Sequence, residues 1–379
     1  MTLRVGFNAR LLASPDVRGW NRYTVNLLAE LPGQGVRPVL YADRPLHPSH
    51  LARLPEGSYD VRVAGVRPYA AWEQIWLPRA CRRDGVAVLH APANFGLPWS
   101  SPCPRVLTLH DAIDQVYYAP RQSARRRWSA GAVRARLAHW SARTRAERVI
   151  TVSAHARGDL VGRLGVPAWK VRVTPEAADP AMARPVTGED RGRVRASHRL
   201  GRPYVFYVGG WEPRKNVPFL VRAFAEAGLD GVDLVLAGGS DAEGPPLAEL
   251  ARTLGVADRL RAIGRVSDAD LPALYAEALC FAYPSEYEGF GLQVCEAMAA
   301  GCPVLASRAT SLPEVVGGGG ETFALDSPAE LAGQLRRVHH DAAYRTGLVR
   351  RARARSADFS WRATAEATAA VYRELARTH

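Results

Sequence analysis

In "SEYEGFGLQVCEAMAAG", residues 285–301, two carboxylates, Glu288 and Glu296, bracket a turn containing Gly289 and Gly291. The turn opens a helical pattern that Gly301 closes. A helix start offers free backbone N–H groups and the positive end of a dipole, which suits a phosphate. Glu288 alone would repel such a group, whereas Glu296, over a turn further in, is spaced to reach hydroxyls. The segment alone leaves open why an anion-binding helix start should be bracketed by two carboxylates. A second chemical stretch is "YVGGWEPRKN", where Arg214 and Lys215 follow a β-type run. Lys215 is one of two lysines in the chain, the other being Lys170, among 50 Lys and Arg, so a cation placed at random here would be arginine. A third is "LTLHDAIDQVYYAP", where a strand runs into His110 and Asp111. A histidine after a strand is more often structural. Asp111 and Asp114 have the look of a metal-binding pair, although one carboxylate turned toward backbone is the simpler expectation.

These residues need strands to place them. Short apolar runs ("LRVGFNARLL", "VRPVLYA", "VAVLHAP", "RVLTLHDA", "RVITVSA", then "PYVFYVGG", "VDLVLAGG", "LCFAYPS", "CPVLASRA") alternate with helical patterns in two successive series. That alternation predicts two doubly wound parallel sheets, with ligand sites at the carboxyl ends of the strands. The stretch "EAADPAMARPVTGEDRGRVRASHRLGRP", rich in Pro, Gly and charge, reads as a linker near 176 to 202. A closing helix is expected in "FSWRATAEATAAVYRELART".

With 379 residues the chain exceeds the usual reach of one core. The start "MTLRVGFNARLL" lacks the pattern of a secretory leader and no run approaches a membrane span, so a cytoplasmic protein is expected. Five scattered cysteines suggest neither a disulfide framework nor a zinc site. The net charge of +13 is uneven: residues 1–180 hold 26 Lys and Arg against 13 Asp and Glu. In residues 121–149, Trp128, Val133, Leu137 and Trp140 recur at helical spacing among nine arginines. Two readings stand side by side: a basic helix resting on anionic lipid, or a core helix with a solvated arginine face.

"PSEYEGFGLQVCEAMAAGCPVLAS" resembles the donor-site signature of the retaining glycosyltransferases of family GT4, whose two glutamates share the spacing of Glu288 and Glu296. The resemblance implies the GT-B fold: an α/β protein of two Rossmann-like parallel-sheet domains facing a deep inter-domain cleft. Residues 1–182 would form the acceptor domain, 200–355 the nucleotide-sugar donor domain, and 356–379 a helix crossing back to the first. It implies that Glu296 binds ribose hydroxyls and Glu288 sugar hydroxyls, with the amides of Gly289, Phe290, Gly291 and Leu292 facing the diphosphate. Lys215 takes the place of the family lysine that neutralises the leaving phosphate. The paired family arginine falls on Gly210, which leaves Arg214 as its substitute. His110 matches a first-domain histidine near the donor sugar. Gly19, in "SPDVRGWNRYTVNLLAEL", matches a loop glycine, with Asn21 in place of a second. Arg265 and Val266 match neighbours of the base, and "SLPEVVGGGGETFAL" a loop after the donor helix.

The resemblance further implies metal-independent transfer of a hexosyl group, with retention, from a nucleotide diphosphate sugar to a glycan or lipid-linked acceptor. It requires no cofactor, and the nearest look is to bacterial mannosyltransferases of O-antigen and surface polysaccharides. GDP-mannose is the favoured donor and a UDP-sugar the next. Peripheral contact with an anionic membrane at the inner face of the cell membrane fits the basic first half. Three rivals remain in view. A basic nucleic-acid-binding protein would need no Glu288 or Glu296, no recognition motif supports it, and the working expectation is no nucleic acid. A GT-B sugar-nucleotide epimerase or phosphorylase would keep the fold and change the reaction. A dehydrogenase is raised by "GFGLQV", which misses the third glycine of the dinucleotide fingerprint at Val294.

Overall fold

The computed structural model describes residues 2–15, 19–121, 129–239 and 244–378. The chain forms two compact units, Met1–Glu176 together with Ser360–His379, and Ala177–Phe359.

In the first unit seven strands, β1 (Leu3–Asn8), β2 (Val36–Ala42), β3 (Asp60–Val63), β4 (Val88–Ala91), β5 (Arg105–Thr108), β6 (Arg148–Thr151) and β7 (Val171–Val173), form one parallel sheet in the order β3-β2-β1-β4-β5-β6-β7. The central strands are apolar on both faces because helices cover both: all four residues of β4 are buried, and Leu107, Leu109 and Val149 share a core cluster with Leu160 of the helix Ala154–Gly162. The closing helix Trp361–Arg377 belongs to this unit. Ser360 caps its start by accepting from the Ala363 N–H at 3.1 Å. Its inner face buries Ala365, Ala369, Tyr372 and Leu375, and full burial of a side chain such as Leu375 contributes about 1.5–3 kcal/mol. Tyr372 also brings its hydroxyl within 2.6 Å of His90 Nδ1 on β4, and Thr364 donates to the Pro175 carbonyl at 2.6 Å.

In the second unit six strands, β8 (Tyr204–Gly209), β9 (Asp233–Gly238), β10 (Leu260–Gly264), β11 (Cys280–Tyr283), β12 (Val304–Ser307) and β13 (Glu321–Phe323), form a parallel sheet in the order β10-β9-β8-β11-β12-β13. From β8 the chain winds one way through β9 and β10, then returns to lay β11 on the other side. That reversal makes the ends of β8 and β11 the switch point where such sheets bind ligands. At the neighbouring end of β9, Gly238 has φ +89, and a side chain there would drive its Cβ into the Gly209 carbonyl, so only glycine lets the two strand ends approach.

The linker expected near 176 to 202 is instead structured. Thr187 and Asp190 form a reciprocal capping box, and the helix Gly188–His198 follows. Arg184 and Arg193 secure it through Asp190, and Arg193 reaches on to Asp270. High charge and proline mark helix start signals and ion pairs here, not an unstructured tether. Among the described residues, no helix is long and apolar enough to cross a membrane.

Candidate active site

Lys215 ends the short turn Pro213–Lys215 that follows β8. The next residue, Asn216, takes a left-handed conformation (φ 50), which asparagine tolerates better than most residues, and the turn then reverses into the helix Val217–Ala227. Glu288 lies on the loop after β11, so the two residues come from the strands flanking the switch point. Lys215 Nζ donates to Glu288 Oε1 at 2.6 Å, and Arg214 Nη1 donates to the same oxygen at 2.9 Å and to the Tyr287 carbonyl at 3.2 Å. Ser285 Oγ donates to Oε1 at 2.6 Å, and the Tyr283 hydroxyl lies 3.0 Å from it and 3.1 Å from Gln293 Oε1. Lys215 Nζ also donates to the Tyr283 hydroxyl.

This cluster is nearly dry, with Lys215 4% and Glu288 9% exposed. Burial by itself would raise the Glu288 pKa, but Lys215 and Arg214 outweigh it and hold the carboxyl down at about 2. Burial lowers the Lys215 pKa; Glu288 pushes back and Arg214 adds to the lowering, leaving it below the ordinary lysine value. Burial likewise keeps the Tyr283 hydroxyl protonated well above its usual range.

The loop carrying Glu288 is held from behind. Thr310, a β-branched residue at φ 50, accepts from the Glu288 N–H at 3.0 Å, and Ser311 Oγ lies 3.0 Å from the Glu288 carbonyl and 2.9 Å from that of Phe290. A β-branched side chain in the left-handed region stores about 1–3 kcal/mol of strain, which the surrounding bonds must hold. Gly291 caps the helix Leu292–Ala299 at φ 103, where a Cβ would lie 2.7 Å from Leu312. Phe290 packs edge-on against Phe359 at 5.5 Å. These contacts fix Gly289, Phe290, Gly291 and Leu292 at the helix start, and Glu296 lies further along the same helix at 2% exposure. Gly210 follows β8 directly: the Tyr207 hydroxyl donates to its carbonyl at 2.5 Å, and a Cβ there would meet the Glu212 carboxylate. Arg265 and Val266 follow β10, at the same edge of the sheet but two strands away from β8.

His110 and Gly19 lie in the first unit. His110 follows β5 and is enclosed: its Nδ1 is 3.1 Å from Glu176 Oε1, its Nε2 3.1 Å from the Pro92 carbonyl, and its N–H donates to Asn94 Oδ1 at 2.9 Å. Tyr23 meets the ring edge-on at 4.7 Å. Gly19 begins the helix Gly19–Glu30, and Asn21 donates to the Leu11 carbonyl at 2.9 Å. Asp111 turns to backbone, accepting from the Ile113 N–H at 3.2 Å. In the arginine-rich run, Trp128 lies outside the described residues.

Several residues of these clusters carry no mark in the sequence. Tyr283 and Ser285 read there as the end of a strand and the start of a turn, Thr310 and Ser311 as plain loop, and Glu176 as the first residue of the linker. The available signal is position: each follows the last residues of a parallel strand, or closes one.

Residues 17–182 match the family model described as Glycosyltransferase Family 4, and residues 190–355 the model described as Glycosyl transferases group 1. The chain is 32% identical over 234 residues to the O-antigen chain mannosyltransferase B of Escherichia coli, covering 61% of each protein. It is 34% identical over 251 residues to the D-inositol 3-phosphate glycosyltransferase of Salinispora tropica, covering 62% of this chain and 52% of that one. The matches thus span about half to three fifths of these relatives' own lengths. In fold, the chain is similar to the crystal structure of Anabaena Alr3699/HepE in complex with UDP-glucose, with a TM-score of 0.76 at 19% identity over 98% of this chain and 100% of the other.

Proposed function

The chain belongs to the glycosyltransferases that the group 1 and family 4 models describe and has their GT-B fold, and from that premise we propose that it transfers a hexosyl group, with retention, from a nucleotide diphosphate sugar to an acceptor hydroxyl. The observation that carries this reading is the convergence of Lys215, Arg214 and Glu288 at the switch point of the second sheet. Two cations meet on one carboxylate oxygen, with Lys215 buried in a setting where charge interacts strongly. Such a cluster favours a group on which negative charge grows, as it does on a departing diphosphate.

In the reaction the bond from the sugar C1 to the phosphate oxygen breaks with its electron pair on that oxygen. The acceptor oxygen bonds C1 on the same face, and its proton passes to the leaving phosphate oxygen. Lys215 and Arg214 share the charge of that phosphate with the amides of Gly289, Phe290, Gly291 and Leu292, which together do the work a metal ion would otherwise do. Glu288, held ionised, cannot supply a proton at neutral pH. Its Oε1 positions the two cations, and its second oxygen accepts from a sugar hydroxyl. Glu296 takes the ribose hydroxyls, Arg265 and Val266 flank the base, and Gly210 stands on the phosphate side, at the place of the family arginine.

GDP-mannose is the favoured donor, because one of the relatives is a mannosyltransferase, and a UDP-hexose is the next. The acceptor is a glycan or lipid-linked sugar handled at the cytoplasmic face of the membrane, in polysaccharide or glycolipid synthesis. The test is a thermal-shift and calorimetric screen with GDP, UDP, ADP and dTDP and their sugars, with Glu296→Ala alongside. Selective stabilisation by one diphosphate, lost in the variant, is the expected result. No response to any nucleotide, with tight salt-sensitive binding of nucleic acid, overturns the proposal.

A further inference from the structure

Three large aromatic side chains stand in solvent around one end of the first sheet. Trp99, Trp140 and Trp169 are 52%, 38% and 61% exposed. Trp99 precedes β5, Trp140 lies near the end of the helix Ala130–Thr144 that leads to β6, and Trp169 lies in the turn Ala168–Lys170 that leads into β7, so all three gather at the amino ends of neighbouring strands. Contacts tie them together. Trp99 and Trp140 meet edge-on at 6.0 Å, and Lys170, beside Trp169, donates to the Arg143 and Ala146 carbonyls at 3.0 and 2.8 Å where that helix ends. His110 lies at the opposite, carboxyl edge of the same sheet, so this face is separate from the site described above.

The helix is built for two environments. Ala138 and Ala142 face inward and are buried, while Leu137, 48% exposed, and Trp140 point outward. Arg143 and Arg145 flank this outward face, and the Arg145 guanidinium lies 5.1 Å from the Trp140 ring. Near this end Arg105 is paired with Glu147, and Arg148 and Arg172 with Glu374, so the positive charge of the face rests on the exposed Arg143 and Arg145. Exposing tryptophan and leucine to water forfeits the stabilisation that burial gives such side chains. Aromatic rings beside an aliphatic side chain, ringed by arginine, match the boundary of a bilayer with anionic headgroups, where rings settle at headgroup depth and each arginine finds a phosphate.

We propose that the Trp99–Trp140–Trp169 face docks the protein on an anionic lipid surface. The occupant follows from charge complementarity: a region this basic is attracted to negative headgroups, and the neighbouring Leu137 gives hydrocarbon a foothold that base stacking does not require. The docking is independent of the transfer chemistry and is read without any sugar nucleotide.

The test is flotation of the full-length chain with vesicles of phosphatidylcholine alone and of phosphatidylcholine with phosphatidylglycerol. Binding to the anionic vesicles only is expected, with a blue shift of tryptophan emission. The double variant Arg143→Glu/Arg145→Glu should bind at least about tenfold more weakly. Trp99→Ala and Trp169→Ala, made separately at exposed positions, should each weaken binding and reduce the blue shift, with circular dichroism confirming the fold. Failure of the wild type to bind anionic vesicles, or binding that none of these changes weakens, overturns the proposal. So does finding that the face instead joins two copies of the chain, read as a dimer that the tryptophan variants make monomeric, or that it binds nucleic acid and no lipid.

Discussion

At the carboxyl edge of the second sheet two cations face one carboxylate, whereas at the same edge of the first sheet His110 faces Glu176 within a shell that engages both ring nitrogens. Both clusters follow parallel strands, yet they stand differently with respect to the winding. Lys215 and Glu288 come from β8 and β11, the two strands that flank the reversal, while His110 follows β5, one strand beyond the β1–β4 reversal of its own sheet. The second cluster gathers two cations on a single carboxylate oxygen. The first is already satisfied by its own unit, so it orients and shapes more than it attracts. On the function proposed, the second edge binds charge and the first holds form.

The sharpest way to break this division is to remove the charge. Lys215→Ala should lower turnover about 100- to 1000-fold, corresponding to about 3–4 kcal/mol of transition-state stabilisation, with secondary structure retained. Steady-state rates with saturating donor measure it. Unchanged turnover would remove Lys215 from the mechanism and leave the second edge no more reactive than the first.

Acid stability sharpens the same contrast. Glu288 titrates at about 2 in the fold, below the ordinary glutamate value of 4.5. Its ionised form therefore contributes stability at every pH above 4.5, and the contribution is lost as pH falls from 4.5 through about 2. The full linkage is on the order of 3 kcal/mol. Glu288→Gln should be less stable at neutral pH, because it leaves the buried Lys215 and the partly buried Arg214 without their counter-charge, and its stability should fall less steeply on acidification. Denaturant melts at neutral pH and near pH 3 compare the slopes. Equal slopes for variant and wild type would show that the pair carries no such coupling.

On the first edge the expected effects are smaller and fall mainly on form. His110→Ala leaves the buried Glu176 carboxylate without its ring partner and should cost about 1–3 kcal/mol of stability, with a smaller loss of turnover than Lys215→Ala. Glu176→Gln keeps an acceptor beside Nδ1 and should retain most of the stability seen by thermal melting. A loss of turnover in His110→Ala as large as in Lys215→Ala, at unchanged stability, would erase the distinction between the edges.

Much of this is legible in the residues alone, for uneven reasons. Strands wrapped on both faces are largely apolar, so β5, β8 and β11 stand out in the sequence, and with them the positions just after each strand where His110, Lys215 and Glu288 fall. Glu288 and Lys215 are each marked by type, but their mutual contact is not, because 73 residues separate them and only the winding order brings β8 beside β11. Ser285, Tyr283 and Thr310 are silent for a different reason. Hydroxyl side chains are common in turns, and only the direction of a hydrogen bond distinguishes the ones that grip a carboxylate loop. The helix Gly188–His198 reads as linker because its stability rests on a capping box and ion pairs, which leave no apolar stripe to count. Of its eleven residues only Asp190 and Val194 are buried.

The smallest expected effect probes how the second edge obtains its second cation. The family arginine position is held by Gly210, while Arg214, four residues on, supplies a guanidinium to the cluster. Gly210 adopts no left-handed backbone, and the nearest atoms a Cβ would meet belong to the Glu212 carboxylate, the movable end of a flexible side chain. Gly210→Arg should therefore fold and, with Arg214 in place, change turnover by no more than about threefold, since a second guanidinium adds little where two cations already exceed one carboxylate. In an Arg214→Ala background, which should itself be slower by about tenfold or more, the same Gly210→Arg change should recover much of the loss. Rescue would show that the two positions supply one interchangeable charge. A large gain from Gly210→Arg alone would instead show that Arg214 is committed to Glu288 and the Tyr287 carbonyl, and that the wild-type site works with Lys215 as its single cation.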